Sequence, residues 1–143
     1  MEARCRVVAS WLAALNGVNG VMNKTQLHNG HVLVEKPWGQ YTDIYRSAST
    51  VFKRLDIKPG EEISYQYHNY RDECWYITAG LGHLKVDGEE LLACAGDTFY
   101  IEKGVSHQIS NTGNLMLTIF EMQCGDCRED DIVRLSDKYD RKI

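Results

Sequence analysis

The sequence lacks a basic excess, an apolar run of membrane-spanning length and an even set of cysteines. Acidic residues outnumber basic ones, 20 to 16, giving a formal net charge of −4. The basic footprint that a nucleic-acid backbone requires is therefore missing. No stretch reaches the roughly 18 consecutive apolar residues of a transmembrane helix candidate. The five cysteines are Cys5, Cys74, Cys94, Cys124 and Cys127. An odd count in a chain of this length does not read as a secreted disulfide scaffold, so a reducing cytoplasm is the expected location. Cys124-Gly-Asp-Cys127 is a lone CxxC with no second pair and no βαβ pattern beside it, and loop thiols are its plainer reading. Internal repeats and low-complexity segments are also absent.

What is present fits one domain. A length of 143 residues, 43% of them hydrophobic and 25% charged, is enough for one real core. Residues 1–28 read as an N-terminal extension. In it, Arg4 and Arg6 precede the apolar run from Val7 to Leu15. That run superficially resembles a secretory leader, but it is short and no small-residue cleavage site follows. A short helix stopped at Gly17 is the preferred reading, with a start at Met22 as the alternative.

Residues 29–143 read as all-β. Val51 to Ile57 alternates apolar and polar residues before Lys58-Pro59-Gly60 turns the chain. Strands are expected over 62–68, 74–79, 83–86, 89–93, 98–101, 106–110 and 115–122. Asp87-Gly88 marks a tight hairpin and Gly80, Gly96 and Gly104 lie in the other turns. The charged tail, residues 128–143, is expected to close as a short helix or as a strand pairing across the barrel. Eight or more short strands can close on themselves and hold a small ligand inside.

Alternation also places chemistry. In the strand ending at His68, Ile63, Tyr65 and Tyr67 share one face and Ser64, Gln66 and His68 the other. If Asn69 to Asp72 turn the chain, Glu73 comes alongside Gln66 and His68, and His107 opens a distant strand after a glycine turn. Two imidazoles, a carboxylate and an amide converging inside a barrel would suit a divalent metal. Taken singly, each has a plainer reading: a strand histidine is more often structural, and Gln66 and Glu73 could be surface and turn residues.

The joint spacing decides between these readings. Gly60 through Gln66, His68 and Glu73 to Gly80 matches the first cupin motif, G-x5-HxH-x4-E-x6-G, with Gln66 in place of the first histidine. Gly96 through Gly104 and His107 to Asn111 matches the second, G-x5-P-x-G-x2-H-x3-N, with Glu102 in place of proline. The chain thus resembles the cupins. A closer resemblance is to the cupin domain of type II mannose-6-phosphate isomerases, often fused to mannose-1-phosphate guanylyltransferases. That likeness rests on Val34 to Tyr41, on Ser64, Gln66, His68, Arg71, Glu73 and Trp75, and on the ending from Gly125 to Arg141.

This resemblance implies a single cupin barrel with Gln66, His68, Glu73 and His107 as metal ligands. Zinc is favoured, with manganese, iron or nickel as alternatives. It also implies aldose–ketose isomerisation of a sugar phosphate through an enediol. Lys36, Lys53, Arg71 and Arg134 are candidates for contacting the phosphate, with solvated surface charge as the plainer reading of each, and Tyr70 and His31 are candidate bases. Homodimer formation is expected by analogy with small cupins. Glu61 and Glu62 depart from the family pattern, standing where a basic residue is usual. The alternatives are a non-catalytic sugar- or metal-binding cupin and, third, a mononuclear iron dioxygenase built on His68, His107 and Glu73.

Overall fold

The computed structural model describes residues 23–141, and the readings that fall on residues 1–22 lie outside it. Among the described residues there are twelve strands and no helix, hence none long and apolar enough to cross a membrane. The chain opens with β1 (Lys24–Gln26), β2 (Val32–Lys36), β3 (Gly39–Arg46) and β4 (Thr50–Ile57). β5 (Tyr65–Tyr67), β6 (Arg71–Ala79), β7 (Leu81–Val86) and β8 (Glu89–Cys94) follow. β9 (Thr98–Ile101), β10 (His107–Asn111), β11 (Leu117–Gly125) and β12 (Val133–Ser136) complete it.

Two antiparallel sheets result, in the orders β1-β2-β3-β4-β11-β6-β9 and β12-β5-β10-β7-β8. Their facing sides bury Trp75, Ile77, Leu84, Ile109, Leu117 and Ile119 almost completely. Burying one such aliphatic side chain contributes about 1.5–3 kcal/mol. This is the double-stranded barrel that the motif spacing implies. The Asp87-Gly88 turn joins β7 to β8 as expected, with positive φ at both residues.

Two details differ from the expectation. The first concerns the segment read as extension, because β1 lies within it and pairs with β2 in the larger sheet. The second is the strand expected over 62–68. It is regular only over Tyr65–Tyr67, with a single bridge from Glu62 to Ser110. Of the two readings of the tail, the structure shows the strand: β12 pairs with β5.

The buried Asn111 ties the end of β10 into this frame. Its Nδ2 donates to the carbonyls of Ile57 and Leu115 at 2.7 and 2.8 Å, and its Oδ1 accepts from the Gly113 amide. One side chain thus links the end of β4, the loop before β11 and the turn after β10.

Candidate metal centre

Strand register assembles the site. His107, first in β10, stands opposite Gln66 of β5, which stands opposite Arg134 of β12. Directly opposed residues share a face, so Arg134, Gln66 and His107 form one row inside the smaller sheet. In the larger sheet Glu73 opposes Gln123, while Trp75 and Lys53 flank Glu121. Glu73, Gln123, Glu121 and Lys53 therefore form the facing wall.

At the meeting of the two walls, Nε2 of His68 lies 3.0 Å from Oε1 of Glu73, and Nε2 of His107 lies 3.5 Å from Oε2. All three side chains are buried, and one ligand atom from each lies within 4.8 Å of the others. Nδ1 of His68 donates to the Asp131 carbonyl and Nδ1 of His107 to the Val105 carbonyl. These partners assign the ring protons to Nδ1 and turn both Nε2 lone pairs toward the carboxylate. Metal-binding histidines are typically held in this arrangement. At 3.5 Å from the carboxylate, His107 Nε2 has charge proximity but no well-formed hydrogen bond, and it is buried. An orphaned buried nitrogen, a second imidazole and a carboxylate directed at one point fit a divalent cation.

The electrostatics agree. Burial pushes the Glu73 carboxyl up, but His107 and His68 outweigh it and hold the group well below the usual carboxylate range. Burial likewise depresses His107, yet the Glu73 carboxylate raises it above the ordinary imidazole value. Glu73 is held further by Trp75 Nε1, donating to Oε2 at 3.1 Å, and by Arg71 Nε, donating to Oε1 at 3.0 Å. Gln66 flanks the trio. Its Nε2 is 3.4 Å from His68 Nε2, and its Oε1 accepts from Ser64 Oγ. Turning the amide over presents Oε1 to a cation while Ser64 Oγ becomes the acceptor.

A cavity of about 90 Å³ adjoins this centre. Lys36, Lys53, Arg134 and Arg141 line it beside the rings of Trp38 and Tyr41. Burial, and then the charges of Arg141, Arg134 and Lys53, lower the Lys36 ammonium from 10.5 to about 8. Positive charge is thus concentrated on one side of the cavity. Lys53 lies 4.3 Å above the Tyr41 ring and 3.7 Å from Asp43 and Glu129. On the floor, Gln123 Nε2 donates to Glu121 Oε1 at 2.6 Å, and burial followed by the Glu73 charge raises the Glu121 carboxyl.

Of the residues read from the sequence, Gln66, His68, Glu73 and His107 come together, and Lys36, Lys53, Arg71 and Arg134 line the same cavity. Arg71, buried, is directed at Glu73 and at the carbonyls of Arg128 and Asp131 rather than outward. Tyr70 departs from the expectation. It is 53% exposed, with the Arg128 guanidinium 4.8 Å over its ring, because the turn before β6 points it away from the barrel interior. His31 is bonded to Asn29 in an exposed turn, also away from the cavity. Glu61 and Glu62 do not line the cavity either. Glu61 accepts from Lys138 and Tyr139, and Glu62 from Gln108, so this acidic pair does not oppose a phosphate there. Cys74, Cys94, Cys124 and Cys127 are free thiols outside the ligand group.

Sequence reasoning passed over Glu121, Gln123, Glu129, Arg141, Trp38, Tyr41 and Asp131. A signal existed for the first two. They follow Ile119 at period two along an apolar strand, which places them on the inward face.

Comparison with known proteins supports this architecture. Residues 23–137 match the family described as "Mannose-6-phosphate isomerase C-terminal". A mannose-1-phosphate guanylyltransferase of Salmonella montevideo is 38% identical over 147 aligned positions, covering 99% of this chain and 31% of that protein. The xanthan biosynthesis protein XanB of Xanthomonas campestris is 38% identical, covering 78% of this chain and 24% of its own length. The chain therefore spans about a quarter to a third of these relatives. Among solved structures, capsular polysaccharide assembling protein CapF from Staphylococcus aureus superposes with a TM-score of 0.64 at 17% identity, covering 75% of this chain and 34% of that one. KdgF from Halomonas gives a TM-score of 0.62 at 17% identity, covering 73% and 95%. Both share the fold. The expectation of an aldose–ketose isomerase is corrected here: the family's description keeps that word, but relatives from Salmonella and Escherichia coli are named for guanylyl transfer and none of these for isomerisation.

Proposed function

The chain belongs to the family described as mannose-6-phosphate isomerase C-terminal, and on that premise we propose that it is a metal-holding, sugar-phosphate-binding cupin domain. It would serve the mannose-phosphate pathway in which its guanylyltransferase relatives act. The observation that carries this reading is a buried His68–Glu73–His107 cluster beside a cavity that Glu73 and Gln66 share with a basic wall.

His68, His107, Glu73 and Gln66 would hold the ion, with zinc favoured for this mixed nitrogen and oxygen set. When bound, the metal supplies Lewis acidity and a fixed anchor for a sugar oxygen. Lys36, Arg134 and Arg141 bind the phosphate through charge-assisted hydrogen bonds. Glu121 and Gln123 offer an acceptor and a donor for hydroxyls on the cavity floor. Trp38 and Tyr41, both buried, line the cavity beside these cations and shield it from water.

Calorimetric titration of purified protein with mannose 1-phosphate, mannose 6-phosphate and free mannose tests this reading. At least tenfold tighter binding of a phosphate ester than of mannose is expected. Equal affinities, or binding of none of the three, would overturn it.

A further inference from the structure

The connection between β11 and β12, residues 126–132, contains the buried Asp131. Its carboxylate accepts from the Asn69 amide at 2.8 Å and from the Tyr70 amide at 2.9 Å. Its carbonyl accepts from Nδ1 of His68 at 2.5 Å and from Nη1 of Arg71 at 3.4 Å. One residue thus fixes the turn between β5 and β6 by its side chain, and the side chains at both ends of that turn by its backbone. Arg71 then carries the constraint onward to Oε1 of Glu73 at 3.0 Å.

We propose that Asp131 is a positioning residue for the metal centre, and that the 126–132 connection belongs to that centre. The inference rests on the metal reading above. A buried carboxylate capping two amides is often no more than a turn support. Here the supported turn lies between two metal-ligand positions. The same residue's carbonyl also orients one ligand ring and meets the guanidinium bonded to the other ligand. Moving the carboxylate moves the carbonyl with it, so His68 loses both its tautomer-setting partner and its ring orientation. Outer partners of this kind change metal affinity by about 10–100-fold.

The test measures zinc affinity by chelator competition, and the absorption bands of the cobalt-substituted protein, for wild type, Asp131→Ala, Asp131→Asn and Asp56→Ala. Asp56 is an equally buried carboxylate whose partners, Gln40, Arg54 and Thr118, lie outside the centre. It controls for general destabilisation. The expected result is a loss of about 10–100-fold in affinity for Asp131→Ala with altered cobalt bands. Asp131→Asn, which keeps one acceptor oxygen, is expected to fall between, and folded Asp56→Ala to match wild type. Wild-type protein that binds no metal would overturn the metal reading and this inference together. Tight metal binding by wild type and by Asp131→Ala alike would overturn this inference alone, as would an equal loss in Asp56→Ala.

Discussion

Nε2 of His68 and Oε1 of Glu73 stand 3.0 Å apart in the barrel interior, while Nδ1 of His68 is committed to the Asp131 carbonyl. Two lone-pair-bearing atoms this close repel unless a cation bridges them. The Arg71 guanidinium does so from one side, Nε donating to Oε1 at 3.0 Å and Nη2 to His68 Nε2 at 3.3 Å. A metal ion would do so where the three ligand atoms converge. His107 adds a third lone pair directed at the same place. The proposed role of the domain follows from that relationship.

Glu73→Gln removes the one carboxylate of the trio and leaves Arg71 buried without its ion-pair partner. Breaking a buried pair from one side costs about 3–5 kcal/mol. Urea unfolding of the metal-free protein is expected to show a loss of this size, and a loss below about 1 kcal/mol would show that Arg71 does not depend on Glu73.

Lys36 should make ligand binding depend on pH. Its ammonium is lowered from 10.5 to about 8, so in the folded protein it loses its proton near 8 while the unfolded chain keeps it to 10.5. Between those values the unfolded state binds more protons, and this group makes folding stability rise with pH. A phosphate prefers the charged form, so phosphate affinity should fall as pH rises through about 8. Calorimetric titrations across that range are expected to show this slope in wild type and not in Lys36→Met.

Arg134 and Arg141 should discriminate between ester and free sugar. A hydrogen bond to a charged group contributes about 1.5–3 kcal/mol, which is roughly tenfold or more in affinity. Arg134→Ala and Arg141→Ala are each expected to weaken mannose 6-phosphate binding by that factor and to leave free mannose unchanged. Equal losses for both ligands would move these residues from phosphate recognition to general support.

The motifs made the barrel and the convergence of His68, Glu73 and His107 legible because both depend on local rules. Glycine turns, alternation and the Gln66-x-His68 spacing each act over a few residues. The Asp87-Gly88 hairpin and strand β9 were recoverable for the same reason. The basic wall and Asp131 were harder, since they arise from register between strands distant in sequence, such as Arg134 against Gln66. Tyr70 shows the opposite failure. It sits within the motif, but the turn before β6 faces it to solvent. Glu61 read as an obstacle to phosphate until its partners proved to be Lys138 and Tyr139.

Asn111, the last residue of the second motif, should matter for stability and not for metal. Asn111→Ala removes the side-chain donor to the Ile57 and Leu115 carbonyls and leaves the Gly113 amide with the Leu81 carbonyl alone. An unsatisfied buried group costs about 1–3 kcal/mol. A stability loss of about 2–4 kcal/mol with unchanged zinc affinity is expected, and a matching loss of zinc affinity would place Asn111 among the groups that shape the centre.

The most direct test of the account is metal content by elemental analysis, taken on purified wild-type protein and on His107→Ala after equilibration with zinc. The account predicts one divalent ion per chain in the wild type and essentially none in the variant, with zinc raising the melting temperature of the wild type alone. No metal in the wild type, or equal metal in both proteins, would contradict it.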